Sequence, residues 1–182
     1  MPASGPECSR VAGLDKSQIL ALLQALSDEL GAIGVAGELH LVGGAVMCIA
    51  FEARPSTKDL DAYFRPTYEV RAAAARIALR MQLEPDWLND AVKGFLGDRG
   101  DWNLFLDLAN LKVYVAAPEY LLALKAAAMR IGEGYQDLDD VRYLLRYLNI
   151  TDYPRALETI ARYFDLNQLP AKTRFALEEI LG

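Results

Sequence analysis

Histidine is almost missing from this chain: His40 is the only one. That disfavours histidine-built zinc sites and nucleophiles activated by a Ser-His or Cys-His pair. Cysteine is nearly as scarce. Cys8 falls in a stretch rich in Pro, Gly and Ser, and Cys48 in an apolar segment. The two form no disulfide framework, and Cys48 reads as a small core residue. No uninterrupted apolar run is long enough to span a bilayer, and MPASGPECSR has no apolar run after a basic start. Neither a membrane span nor a signal peptide is therefore expected, and the chain reads as cytoplasmic. Internal repeats and low-complexity segments are lacking too. Excess positive charge is also missing: the net charge of −6 argues against a broad surface that coats nucleic acid. It leaves room for a local basic strip that grips one RNA end.

What is present is a globular composition, 53% hydrophobic and 24% charged over 182 residues, enough for one domain or a compact core with a helical extension. Residues 1–12 read as a disordered tail. Asp15 or Ser17 caps a helix running to about Leu30, with Ile19, Leu20, Leu23, Leu26 and Leu30 on its buried side. A strand is expected over 38–42, a short buried helix over 45–52, and a second strand over 59–64. Pro66 then opens a long helix whose Arg71, Arg76 and Arg80 make a partly basic surface, read as a solvated face or as a contact for an acidic partner or an RNA backbone. Residues 85–99 are hard to assign, with Asp86-Trp87-Leu88-Asn89-Asp90 read as a short strand or turn leading into the core sheet. A hairpin follows over 103–116 with Asn110 near its turn. From Pro118 onward the periodicity is helical, in four segments ending near 181.

The most informative stretch is 39–64, LHLVGGAVMCIAFEARPSTKDLDAYF. Side chains two apart on a strand share a face, so Asp59 and Asp61 lie side by side while Leu60 and Ala62 pack on the other side. Two carboxylates that close repel unless a cation sits between them or one takes up a proton. Such paired hard oxygens suit Mg²⁺, which prefers one or two carboxylates plus substrate phosphates. Gly43-Gly44 frees the backbone to approach a ligand at the start of a helix, whose N-terminus favours anions. A metal site beside a phosphate cradle means phosphoryl or nucleotidyl transfer. A plain strand-to-helix turn and two surface acids are the alternative.

Val42-Gly43-Gly44 followed by Thr57-Lys58-Asp59-Leu60-Asp61 resembles the nucleotidyltransferase superfamily of the polymerase-beta type, with a spacer slightly longer than usual. Within it, the chain looks like the small bacterial AbiE-type toxins of toxin–antitoxin and abortive-infection systems. The resemblance covers about residues 39–150. It implies an α+β fold: a nucleotidyltransferase-type mixed sheet flanked by helices over 13–116, then a helical C-terminal region over 117–182. It also implies that Asp59 and Asp61 hold Mg²⁺, and that Gly43 and Gly44 cradle the phosphates of a bound NTP. An NMP would pass to an RNA, such as a tRNA 3′ end, or to a protein hydroxyl, and a cognate antitoxin would be a partner. A catalytically inactive antitoxin or binding module of the same fold is the other reading. Phosphotransfer to a small molecule such as an aminoglycoside is a third.

The remaining candidates take their roles from that resemblance, each beside a plainer one. Thr57 is two before Asp59, so its hydroxyl is expected on the carboxylate side, as a phosphate contact or a modification site. Arg54 and Lys58 are triphosphate counter-charges or ordinary loop charges. Asp107, in Leu106-Asp107-Leu108, has the local form of the superfamily's third metal carboxylate, or is a surface hairpin acid. Lys125 falls in phase with an apolar stripe, where a buried lysine needs a partner; it faces the nucleotide phosphates or snorkels to water. Asp137 and Asp140 share a helix face. They belong to the site, contacting Lys125, Arg130 or substrate, or serve the helix start as caps.

Overall fold

The computed structural model describes residues 13–94, 96 and 99–182, so the tail expected over 1–12, with Cys8, lies outside the described residues. Its α-helical, strand and turn elements make an α+β protein built on a five-stranded mixed sheet.

The first helix, α1 (Lys16–Ala32), starts at Asp15, whose carboxylate accepts from the Gln18 amide while the Gln18 side chain accepts from the Asp15 amide. This reciprocal pairing satisfies two donors that the first helical turn would leave orphaned. Asp15, with Leu14, also forms a two-residue strand, β1, that pairs with β3 (Ser56–Thr57) in a small separate sheet. That pair was not legible in the sequence.

The main sheet comprises β2 (Gly37–Leu41), β4 (Leu60–Arg65), β5 (Leu88–Asn89), β6 (Trp102–Asp107) and β7 (Leu111–Ala116), in the order β5-β4-β2-β7-β6. β4 runs antiparallel to β2 and parallel to β5, β7 parallel to β2, and β6 antiparallel to β7. Strict alternation gives each central strand one buried face. Leu39, Leu41, Leu60, Ala62, Phe64, Val113 and Val115 are buried there. They join one core with the apolar sides of α1 and of α3 (Thr67–Met81), which pack on each other. Trp87, just before β5, is locked into this core by donating its indole N–H to the Ala74 carbonyl at 3.0 Å.

α2 (Gly43–Ile49) leaves the end of β2 directly, and every residue from Ala45 to Ile49 is buried. After β7, Pro118 occupies the first turn of α4 (Pro118–Ala127), where its missing N–H costs nothing. α4 packs on α2 and carries α5 (Asp137–Tyr147) and α6 (Tyr153–Ala161), while α7 (Ala171–Leu181) is tied in by Thr173, which donates to the Ala126 carbonyl. Among the described residues, no helix is long and apolar enough to cross a membrane.

Candidate functional site

β2, β4 and α4 meet around a cavity of about 360 Å³ lined by Gly43, Asp61, Val92, Lys125, Arg130 and Asp137, among others. Its acidic wall comes from β4. Asp61 and Tyr63 are half-buried while Leu60, Ala62 and Phe64 are buried, so the alternation sends Asp61 to the face away from the core. Asp59 sits in the bend just before the strand, also half-buried. Burial pushes the Asp59 carboxyl above its ordinary range, and the Asp61 charge adds to that push. Lys58 and Arg130 pull it back, and Asp86 raises it further. Burial is the larger cause, and the neighbouring Asp61 charge works in the same direction.

Gly43 is required at the turn for two reasons. Its φ of +67° is a left-handed conformation that other residues disfavour. A Cβ there would also stand 3.1 Å from Asp61 Oδ2. At Gly44 a Cβ would stand 2.7 Å from Thr57 Oγ1 and 2.9 Å from Arg54 Nη1. The turn thus lets the backbone lie flush against the acid on one side and the β3 loop on the other. α2 itself spans only seven residues, so the backbone's approach, rather than a long helix dipole, is what this turn offers.

The basic wall comes from α4 and the segment after it. Lys125 is only 8% exposed, and its ammonium lies 3.0 Å from Asp137 Oδ1 and 2.7 Å from Asp140 Oδ2. Asp137 and Asp140, 5% and 3% exposed, open α5 with their side chains turned inward. Asp140 also receives a two-pronged hydrogen bond from Arg54, with Nε at 2.8 Å and Nη2 on the other oxygen. Asp137 Oδ2 accepts from the Arg130 backbone N–H at 3.2 Å and from its Nε at 3.0 Å. Burial raises the Asp137 carboxyl, but Arg130 and Lys125 outweigh it and hold the group below its ordinary range. Three cations and two carboxylates therefore interlock along one side of the cavity. The Arg130 guanidinium also stacks 4.8 Å from the Tyr135 ring centroid and feels the Asp61 charge.

Most of the expected residues converge, with particular outcomes for four. Lys125 neither snorkels nor stands alone, because Asp137 and Asp140 hold its ammonium. Arg54 is neither a loop charge nor a free counter-charge, because Asp140 engages it. Thr57 is buried, and its hydroxyl donates to the Asp59 carbonyl at 3.2 Å, so it does not stand free beside the carboxylates. Lys58 is exposed beside Asp59. The expectation for Asp107 is corrected. β6 is the far edge of the sheet, three strands from β4, and Asp107 is level with Lys112, Glu38 and Arg65, at the opposite end of β4 from Asp61. The hairpin adds to the outer side of β7, which carries Asp107 away from the acidic pair. Asp107 therefore does not complete a metal set with Asp59 and Asp61. Opposite Asp61, on β5, stands Asn89.

Arg130 and Asn89 are the residues that sequence reasoning underweighted. Arg130 was visible as the last charge of the helix containing Lys125, seven residues before Asp137. Asn89 lies in the 86–90 stretch expected as a short strand or turn entering the sheet, which the structure makes β5, but two residues carry too little periodicity to show its pairing with Asp61. Among the described residues, no group of three or more His, Cys, Asp and Glu side chains gathers as a metal cluster. Comparison with protein-family models, with curated proteins and with solved structures finds no match for this chain.

Proposed function

We propose that this protein is a Mg²⁺-dependent nucleotidyltransferase that moves NMP from an NTP to a hydroxyl of RNA, such as a tRNA 3′ end, or of a protein. The observation that carries the reading is Asp61 against the Gly43 turn and across a cavity from Lys125 and Arg130, with Asp59 in the preceding bend near enough for the Asp61 charge to raise its carboxyl. The donor set fits Mg²⁺: two crowded hard carboxylates whose mutual repulsion a divalent ion would relieve. When bound, the ion would supply charge that offsets the negative charge developing on the phosphates during transfer.

This chain's own residues would do the rest. Asp59 and Asp61 would hold the ion, Gly43 and Gly44 would let the phosphates approach the backbone, and Lys125 and Arg130 would face the negative charge building on the phosphates. Asp137 and Asp140 hold Lys125 in place, and Arg54 holds Asp140. The acceptor oxygen forms a bond to the α-phosphorus as the bond to the β-phosphate bridging oxygen breaks. Pyrophosphate takes the departing electron pair, and the hydroxyl proton passes to a basic oxygen at the site. The likeness of 39–64 to the AbiE-type toxins supports a place in a toxin–antitoxin or abortive-infection system, with a cognate antitoxin as partner.

A second reading, a nucleotide-binding module without transfer activity, draws on the separation of Asp107 from the acidic pair. One experiment decides between them. The protein is incubated with each α-³²P NTP, Mg²⁺, total RNA and cell protein, beside an Asp59→Ala, Asp61→Ala double variant. Label entering RNA or protein with the wild type alone supports transfer. No label, together with Mg²⁺-dependent NTP binding, supports the module. Neither label nor binding refutes both.

A further inference from the structure

The face of the sheet opposite the core carries aromatic rings where an amphipathic sheet ordinarily carries charged and small polar groups. His40 is directly across from Tyr63 on one side and from Tyr114 on the other. Its ring stacks on Tyr114 (centroids 4.7 Å apart, planes at 11°) and meets Trp102 edge-on at 4.9 Å. Toward Tyr63 the arrangement opens, to 5.9 Å with the planes at 50°. At that opening lies a cavity of about 320 Å³ lined by His40, Tyr63, Arg65, Lys93, Leu96 and Trp102. The Lys93 ammonium sits 5.7 Å from the Tyr63 ring centroid and makes no ion pair among the described residues. His40 Nδ1 is enclosed and has no hydrogen-bond partner among them either. Burial lowers the affinity of this ring for a proton, so it is an uncharged surface for stacking.

The slot adjoins the acidic pair. Tyr63 follows Asp61 by two residues on the same face of β4, about 7 Å along the strand. The 3-10 turn Ala91–Gly94 borders both sites, with Val92 lining the Asp61 cavity and Lys93 the aromatic slot. The Arg65 guanidinium at the rim is already held by Glu38, which leaves rings for a flat base and the Lys93 ammonium for its phosphate, a set that single-stranded nucleic acid uses. A serine, threonine or tyrosine acceptor on a protein has no use for that set.

We propose that this slot is the acceptor subsite, and that the acceptor is single-stranded RNA. An unpaired base near the 3′ end lodges among His40, Tyr63 and Trp102, its phosphate lies on Lys93, and the terminal hydroxyl reaches Asp59 and Asp61. The inference rests on the nucleotidyl-transfer reading for what happens at that hydroxyl, and adds the class of acceptor.

Binding can be tested without catalysis, by titrating r(A)5 with a free 3′ hydroxyl into the full chain with no NTP and no Mg²⁺. Tryptophan emission is the readout. The chain has two tryptophans, Trp87 buried in the core and Trp102 lining the slot, and Trp102→Phe assigns the signal. The expected result is saturable quenching that Trp102→Phe abolishes. A pentamer with abasic sites should bind about 5- to 150-fold more weakly, the range for losing one stacked base. Lys93→Ala, at an exposed position that does not threaten the fold, should weaken r(A)5 and reduce its salt dependence. The proposal is overturned if the abasic strand binds as tightly as r(A)5, or if no saturable binding occurs. Label entering protein alone, with r(A)5 failing to bind, would remove this subsite and leave nucleotidyl transfer standing.

Discussion

The buried ion network makes an asymmetric prediction: removing a cation should cost far less stability than removing an anion. Arg54, Lys125 and Arg130 face Asp137 and Asp140, three positive charges against two negative. In Lys125→Met the count becomes two against two. Asp140 keeps its paired hydrogen bonds from Arg54 and Asp137 keeps Arg130, while methionine fills the volume of the lysine stem. The loss is then a pair of charge-assisted contacts whose partners stay satisfied, about 1–2 kcal/mol. In Asp140→Ala the count becomes three against one. Arg54 loses its only carboxylate in the network, and Lys125 must share Asp137 with Arg130. Breaking a buried pair in this way costs about 3–5 kcal/mol. For a chain of this length that corresponds to roughly 6–20 °C in Tm, against a few degrees for Lys125→Met. Urea unfolding followed by circular dichroism, with the slope checked for constancy, measures both. If Lys125→Met proves as destabilising as Asp140→Ala, the charge-balance reasoning is wrong. On function the order reverses: under the transfer reading Lys125→Met folds but loses about 100-fold in rate, the scale of removing one preorganised charge.

Gly43→Ala should retain the fold at a cost of about 1–2 kcal/mol for the left-handed backbone, while the new methyl pushes the Asp61 carboxylate aside; labelling in the transfer assay should fall more than about 10-fold, and undiminished labelling would show that the close approach is not used. Tyr120 is buried, its hydroxyl has no partner among the described residues, and burial pushes its pKa up to about 12. Tyr120→Phe should therefore be neutral or stabilising by about 1 kcal/mol in urea unfolding, and a clear loss would reveal an uncounted partner. Asp137 has its pKa lowered by folding, so it contributes stability above the unfolded carboxyl value of about 3.9 and loses it as pH falls through the folded value. Unfolding free energies at pH 5, 4 and 3 should drop more steeply in wild type than in Asp137→Asn; parallel curves would contradict the assignment.

The parts legible in the sequence share a strong local signal. The capped start of α1, the alternation of β4, the Asn110 turn and Pro118 at the head of α4 are set by chemistry within a few residues. Asp61 faces away from the core because of strand period alone, whereas Asp59 falls in the bend before β4, outside the strand expected to pair it with Asp61; Lys125 was suspect because a charge stood in phase with leucines. What stayed hidden depends on which strands neighbour one another. Leu106-Asp107-Leu108 has the right local form, but whether Asp107 meets Asp61 is decided by strand order, and the order puts β6 at the far edge. Arg54 and Asp140 are 86 positions apart, so their pairing is a property of α2, α4 and α5 packing together. The aromatic row is likewise assembled from single residues on four strands, each unremarkable in its own segment.

How an acidic chain could grip a polyanion follows from where its cations are committed. Arg76 and Arg80 of α3 both hydrogen-bond Glu29 of α1, Arg71 pairs with Asp90, and Lys16 pairs with Glu52. The basic face of α3 is therefore answered from within the molecule. Such exposed pairs stabilise little, yet they cancel the field that face would present to a distant RNA. At a net −6, and with charges beyond about 10 Å largely screened at 0.1 M salt, long-range attraction contributes little. Close to the acidic pair, Lys93 beside Tyr63 and Lys58 next to Asp59 form no ion pair among the described residues. An acceptor would have to be recognised on contact, by stacking and a few short-range charges, rather than drawn in by the whole surface. A chain that coated RNA through its field would distribute its lysines and arginines differently. This one answers the basic face of α3 with its own carboxylates, which suits a protein that handles one terminus at a time.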